Sequence, residues 1–445
     1  MAALLPAISA LSPATPSLLG WARNETCVLS TNYGNSQYTA EIRVGTPAQT
    51  LHAIPDSGSF ELLMTSTACK GCDGHPKFDA SLSSSFVRLG SSVETRFGQG
   101  DVYSTVNYDR VQLGDLAAPR QSILLMQQND LLNFDVAAYD AVMGMGRDRL
   151  ARFYSDDLSL MASLHADVTG ICVGQHDMEP GRLQVGGEVP GLQYATLPVS
   201  GSSHWAIKVE GISLVSSTAE TQLPGCEGSG CEAIVDSGTS LIALPKTVID
   251  VVLAHLGSVE SDCSDVSELP TLRFRAGGHQ FDLPPQLYMA KMDDNRAMEA
   301  ASTFGAVRMP WHLANETRRG AATSELASTG AECLPLFMEM NFDLSSNLPA
   351  MILGLPFLRR YAARFDRFAQ TVGLGEIPLG SSICTHCGTS HESNAVSSLF
   401  SDVAMSPQAL VPHPHQGPRS RPVLKRAYLR MPSWMHRSAQ DTRRA

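Results

Sequence analysis

The sequence predicts an all-β chain folded into two lobes, and three observations carry that expectation. The chain has 445 residues, too many for one small core. Its 36 Gly and 26 Pro punctuate short apolar runs, and no long amphipathic helix interrupts them, which is the pattern of a turn-rich β protein. The third observation is an internal duplication. Ala53-Ile54-Pro55-Asp56-Ser57-Gly58-Ser59 in the first half matches Ala233-Ile234-Val235-Asp236-Ser237-Gly238-Thr239 in the second.

Each copy is followed far downstream by two apolar residues and a glycine, Val142-Met143-Gly144 and Ile352-Leu353-Gly354. Gly144 lies 88 residues after Asp56 and Gly354 lies 118 after Asp236. The excess matches the polar, Ala/Ser-rich stretch 291–331, which reads as a surface insertion. The expected organisation is an N-terminal extension over 1–31, a first lobe over 32–195 with Asp56, a second lobe over 196–380 with Asp236 and the insertion, and a tail over 381–445. Within the first lobe, the alternation in Tyr38-Thr39-Ala40-Glu41-Ile42-Arg43-Val44 reads as a strand, and Gly45-Thr46-Pro47 as its turn. After Gly380, Ser, His, Pro and Arg dominate, and the tail reads as mostly disordered with a basic, solvated end.

Charge and cysteine narrow the function class. Of 33 Lys/Arg and 44 Asp/Glu, eight bases and one acid (Asp441) fall in 411–445, so the remainder holds 25 bases against 43 acids, a balance of −18. Such a body does not attract nucleic acid, which needs clustered Lys and Arg, and it suits low pH, where protonated carboxylates repel one another less. Ten cysteines include the close pairs Cys69/Cys72, Cys226/Cys231 and Cys384/Cys387. Close pairs fit either zinc ligation or disulfides, and disulfides imply an oxidising compartment. Sequons at Asn24 and Asn315 agree with a secretory route. Residues 2–20 are small and apolar, but no Lys or Arg precedes Arg23, so they read as a weak or incomplete signal. No later apolar stretch is long enough to span a membrane. The expected location is the secretory pathway, with the protein either secreted or held in an acidic endolysosomal or vacuolar compartment.

A lone Asp-Ser-Gly is an ordinary turn sequence; the matched pair is not. Each Asp ends an apolar strand, where an unpaired carboxylate is costly to bury. The following hydroxyl residue and glycine permit tight hydrogen bonding and close backbone approach. One copy per half places the two Asp face to face across a pseudo-twofold axis. Two carboxyls sharing a site cannot both ionise cheaply, so one is protonated while the other stays charged. The charged member takes a proton from a water held between them, and the protonated member hydrogen-bonds a scissile carbonyl. The sequence has no Ser-His-Asp spacing and no His-Glu-x-x-His to compete with this reading.

From about Asn32 to Leu379 the chain resembles the pepsin-like aspartic peptidase family, whose catalytic dyad is the standard case of such proton sharing. The resemblance is carried by Ile42-Arg43-Val44-Gly45-Thr46-Pro47, the two Asp-Ser-Gly motifs, Tyr139-Asp140-Ala141-Val142-Met143-Gly144, Met351-Ile352-Leu353-Gly354, and Phe357-Leu358-Arg359-Arg360-Tyr361 followed by Phe365-Asp366. The resemblance implies a bilobed fold with a cleft between the lobes, an aspartic endopeptidase acting at acidic pH, no cofactor or metal, and a monomer. The expected partner is an extended peptide or protein substrate, with no nucleic acid or membrane span. It implies disulfides Cys69–Cys72, Cys226–Cys231 and Cys263–Cys333, leaving Cys27, Cys172, Cys384 and Cys387 outside the scheme. It also implies that Asp56 and Asp236 are catalytic, that Ser59 and Thr239 hold their outer oxygens, and that Ser57 and Ser237 brace the two loops. Phe97, Gly98 and Gln99 fall in the family's flap. Backbone groups of Gly98, Gln99, Gly58, Gly238 and Thr239 would bind the peptide.

The chain departs from the family pattern at several points. Phe97 stands where the flap tyrosine is usual, Leu63 stands where its tryptophan partner is common, and Leu355 follows Gly354 where an acid is frequent. Pro55 precedes the first Asp, which predicts a shift of Asp56. Arg23 is the only base before Asn32, where the family carries a basic pro-segment, so either the enzyme is made without that segment or the N-terminus is incomplete. These departures admit a second function class, a catalytically impaired homologue acting as a peptide-binding or inhibitor protein.

Overall fold

Why the two halves take the same shape follows from their strands. The computed structural model describes residues 25–97, 100–131, 134–147, 159–202, 204–256, 259–260, 262–292, 332–340 and 348–388. The signal-like segment with Asn24, the flap residues Gly98 and Gln99, insertion residues 293–331 with Asn315, and tail residues 389–445 lie outside the described residues.

The first half runs through β1 (Thr26–Tyr33), β2 (Gln37–Val44), β3 (Gln49–Asp56), β4 (Leu62–Met64), β5 (Val87–Phe97), β6 (Gly100–Leu113), β7 (Leu116–Asn129), β8 (Ala141–Gly144), β9 (Val168–Cys172) and β10 (Gly181–Val185). The second half begins with β11 (Tyr194–Ser200), β12 (Ala206–Val209), β13 (Gly211–Val215), β14 (Glu220–Gln222), β15 (Cys231–Val235), β16 (Ile242–Pro245), β17 (Thr271–Ala276) and β18 (His279–Leu283). It ends with β19 (Met289–Met292), β20 (Glu332–Pro335), β21 (Phe337–Met340), β22 (Ala350–Leu353), β23 (Tyr361–Asp366) and β24 (Thr371–Glu376). Strand β2 shows why the period-2 pattern works: Ala40, Ile42 and Val44 are buried while Glu41 and Arg43 are exposed.

The duplication is visible in strand pairing. In the first half β3 runs parallel to β8, β4 runs antiparallel to β8, and β4 runs parallel to β7. In the second half β15, β22, β16 and β21 repeat the same three pairings. The registers match residue for residue: Ile54 opposes Val142 as Ile234 opposes Ile352. Likewise Leu63 opposes Val142 and Leu124, as Ala243 opposes Ile352 and Met338. Each set packs into its own apolar cluster behind the adjacent aspartate. The fold is the bilobed, all-β one that the sequence predicts.

Six antiparallel strands join the halves in the order β1, β10, β9, β23, β24, β11, with three strands from each. Two expected boundaries differ from this arrangement. The body starts at Thr26 in β1 rather than near Asn32, and the division at 195/196 falls inside β11. Tail residues 381–388 are also fastened to the body. Cys384 is bonded to Cys172 at the end of β9, and Cys387 to Cys27 in β1. The Cys384/Cys387 pair is therefore not closed on itself. The remaining disulfides are Cys69–Cys72, Cys226–Cys231 and Cys263–Cys333.

Candidate active site

Asp56 is the last residue of β3, level with Gly144 of β8, and its carbonyl accepts from Met145 N–H at 2.8 Å. Asp236 follows β15, and its N–H donates to the Leu353 carbonyl at 3.1 Å. Each carboxylate thus ends a strand braced by the segment that closes the same lobe. The downstream glycines have a steric reason. A Cβ on Gly144 would lie 2.4 Å from the Phe60 carbonyl carbon, and one on Gly354 would lie 2.1 Å from the Leu241 carbonyl oxygen. Only glycine lets the loop after each Asp pass this close.

Both carboxylates are buried and held by equivalent bonds. Asp56 Oδ1 accepts from Gly58 N–H at 3.0 Å and its Oδ2 from the Ser59 hydroxyl at 2.6 Å. Asp236 Oδ1 accepts from Gly238 N–H at 2.8 Å and its Oδ2 from the Thr239 hydroxyl at 2.6 Å. The loops interlock. Ser57 N–H donates to Ser237 Oγ (3.1 Å) and Ser237 N–H to Ser57 Oγ (2.9 Å), while Ser57 Oγ donates to the Val235 carbonyl (2.9 Å) and Ser237 Oγ to the Pro55 carbonyl (2.7 Å). The carboxylates face one another's loops. A Cβ on Gly58 would lie 2.5 Å from Asp236 Oδ2, and one on Gly238 would lie 2.2 Å from Asp56 Oδ1. Two close, hydrogen-bonded carboxyls on a pseudo-twofold axis can share a proton and activate a water between them.

Pro55 leaves Asp56 in place, contrary to the shift its sequence predicts. The carbonyls of His52 and Asp56 both accept bonds from the β8 side. Alternation therefore turns the nitrogen of residue 55 away from β8. On that other side the ladder with β2 ends at Ala53, so no bond is lost. Leu63, where a tryptophan was expected by resemblance, is buried in the apolar cluster with Ile54, Leu124 and Val142. Phe97 ends β5 opposite Gly100 of β6; its side chain, like all of Gly98 and Gln99, lies outside the described residues.

The surroundings of the two aspartates differ. Asp140, immediately before β8, is buried and accepts from His52 N–H at 3.1 Å, with His52 Nδ1 at 3.3 Å and His75 Nδ1 at 3.1 Å. His75 Nε2 lies 2.6 Å from the Phe134 carbonyl, which can only accept, so that nitrogen carries a proton. The equivalent of Asp140 by register in the second half is Ala350. Sequence reasoning also missed His204. It is buried, its ring lies 5.5 Å from that of Phe60, and burial pushes its pKa down to about 4; Arg147 lowers it too, while Asp56 raises it. The duplication gives no signal for it, because its register equivalent in the first half, at the start of β2, the counterpart of β12, is Gln37. Among the described residues, no group of three or more His, Cys, Asp or Glu could hold a metal ion, and no helix is long and apolar enough to cross a membrane.

Comparison with known proteins places this geometry in context. Residues 37–313 match the family described as eukaryotic aspartyl protease. The chain is 29% identical over 364 residues to vacuolar protease A of Arthroderma otae, covering 78% of this chain and 80% of that protein. It is 26% identical over 359 residues to gastricsin of Mus musculus (77% and 81% covered) and 28% identical over 362 residues to chymosin of Bos taurus (78% and 82% covered).

Proposed function

The chain belongs to the eukaryotic aspartyl protease family, and on that premise we propose that Asp56 and Asp236 are the catalytic pair of this aspartic endopeptidase. The observation that carries the assignment is the matched set of bonds on the two buried carboxylates, backbone N–H to Oδ1 and hydroxyl to Oδ2 in each. One carboxyl is protonated and the other ionised over an acidic range. The ionised member removes a proton from a water between them as it attacks the scissile carbonyl. The protonated member donates to the carbonyl oxygen as charge develops there. The proton then passes to the leaving nitrogen, and the amide C–N bond breaks.

In this reading Ser59 and Thr239 fix the outer oxygens, so the inner ones face the water. Ser57 and Ser237 keep the two loops in register. The substrate is a peptide lying extended in the cleft, bound through backbone groups of Gly58, Gly238 and Thr239. The first lobe carries Asp56 and the flap, and the second carries Asp236. The protein acts as a monomer without nucleic acid, in the secretory pathway, either secreted or in an acidic compartment. Support for that location comes from five disulfides and from relatives whose names include a vacuolar protease.

The test is incubation with a mixed peptide library between about pH 3 and 7, with and without pepstatin. The expected result is cleavage that pepstatin blocks. Asp56→Asn and Asp236→Asn should each lower kcat/KM by roughly a thousandfold or more. Peptide binding without cleavage at any pH would overturn the catalytic assignment in favour of an impaired, peptide-binding homologue.

A further inference from the structure

His204 stands where the second half of the chain reaches across to the first. The next residue, Trp205, is buried, and its indole Nε1 donates to the Met145 carbonyl at 2.9 Å. Met145 N–H donates in turn to the Asp56 carbonyl at 2.8 Å, and the Trp205 carbonyl accepts from Val235 N–H at 2.9 Å. One short segment is therefore tied to both strands that carry the aspartates. The His204 ring is tilted 51° against Phe60, and Phe60 directly follows Ser59, whose hydroxyl holds Asp56 Oδ2.

We infer that His204 is a positioning residue for the catalytic pair: its imidazole, packed on the Asp56 loop from the opposite lobe, couples its own charge to the proton state of Asp56 and so shapes the acid end of the pH–activity profile. The inference rests on Asp56 being catalytic. Asp56, at the end of β3, favours the imidazolium, while Arg147, in the segment after β8, opposes it. Burial opposes the charge more than either and brings the pKa to about 4. His204 is then neutral through most of the acidic range and charges only near its lower end.

Charge coupling is reciprocal. The carboxylate that favours protonation of His204 is itself kept ionised by the imidazolium. As pH falls, a charged His204 therefore resists the second protonation of the pair, the step that removes the ionised carboxylate needed to activate water.

The experiment compares kcat/KM from about pH 2 to 7 for the full chain and for His204→Phe and His204→Gln. Pepstatin titration at each pH counts the competent sites. The expected result is a loss confined to the acid side, about three- to tenfold below roughly pH 4, as the acid limb moves up by half to one unit. An acid limb that superposes on that of the parent, or a loss of the same size at every pH, overturns the inference. A second measurement does not need a His204 variant to fold. The His204 imidazole is titrated by NMR in the parent and in Asp56→Asn. Its midpoint should fall when the carboxylate charge is removed, and an unchanged midpoint overturns the coupling. This readout needs no turnover, so it separates failure of the coupling from failure of the catalytic assignment.

Discussion

The Asp56 and Asp236 loops have the same inner contacts and different outer ones. Each carboxylate takes one backbone N–H and one hydroxyl, and each loop is laced to the other by a serine. Behind Asp236 the register position of Asp140 is Ala350, inside an apolar cluster. Behind Asp56 that position is a buried carboxylate with two imidazoles near it, whereas the buried carboxylate behind Asp236 is Glu232, opposite Ala350 and bonded by the Ser200 hydroxyl; beside Asp56 lie His204 and Arg147. Duplication preserved what the reaction geometry needs on both sides, and the electrostatic environments around the two sites diverged. Two chemically identical side chains can take unlike roles when only their second neighbours differ.

The largest effect that would break the equivalence concerns the downstream glycines. Gly144→Ala and Gly354→Ala each drive a methyl into backbone that cannot move aside. Each should cost about 3 kcal/mol or more, and either could prevent folding. Similar losses in urea unfolding would support equivalent lobes; a tolerated Gly144→Ala would show the first lobe to be the looser one.

Next comes the pH dependence of stability, which should be one-sided. His204 has a folded pKa of about 4 against an ordinary 6.5. Between those values the unfolded chain binds more protons, so stability falls as pH drops from about 6.5 to about 4, by about 3 kcal/mol in total. His204→Phe should remove that slope. Thermal unfolding of both proteins at several pH values would detect it, and parallel curves would mean that His204 does not charge on unfolding.

A smaller effect is expected at the serine brace. Ser57→Ala and Ser237→Ala each leave a buried N–H and a buried carbonyl without their partner. Each should cost about 2 kcal/mol. The double variant should cost less than the sum of the singles, because the two hydroxyls belong to one network. Additive losses would argue that the loops are held separately.

The smallest effect belongs to Pro55. Its counterpart by duplication is Val235, and its nitrogen faces away from β8. Pro55→Val should change kcat/KM by no more than about twofold and stability by less than about 1 kcal/mol. A large gain in activity would mean that the proline strains Asp56.

How much of this was legible in the sequence depended on repetition. The Asp-Ser-Gly pair and the glycines far downstream could be read because each occurs twice, at steric positions that permit no other residue. Strand β1 was missed because Thr26-Cys27-Val28-Leu29-Ser30 alternates weakly, with Leu29 exposed and Val28 only half-buried. Its place is fixed by pairing with β2 and β10 instead. The bonds Cys27–Cys387 and Cys172–Cys384 were out of reach because their partners meet only across the order of the joining sheet. The position matched to His204 in the first half is Gln37, so the repeat did not mark it, and a single histidine beside a tryptophan carries no spacing signal.

The Cys27–Cys387 bond has a topological consequence. It joins positions 360 residues apart, near the two ends of the described chain. Everything from the first strand to the last therefore lies within one covalent ring. A single backbone cut anywhere inside that ring leaves the two pieces joined through sulfur and releases nothing. A nicked molecule should keep its parent mass on a non-reducing gel and divide into two fragments only after thiol is added.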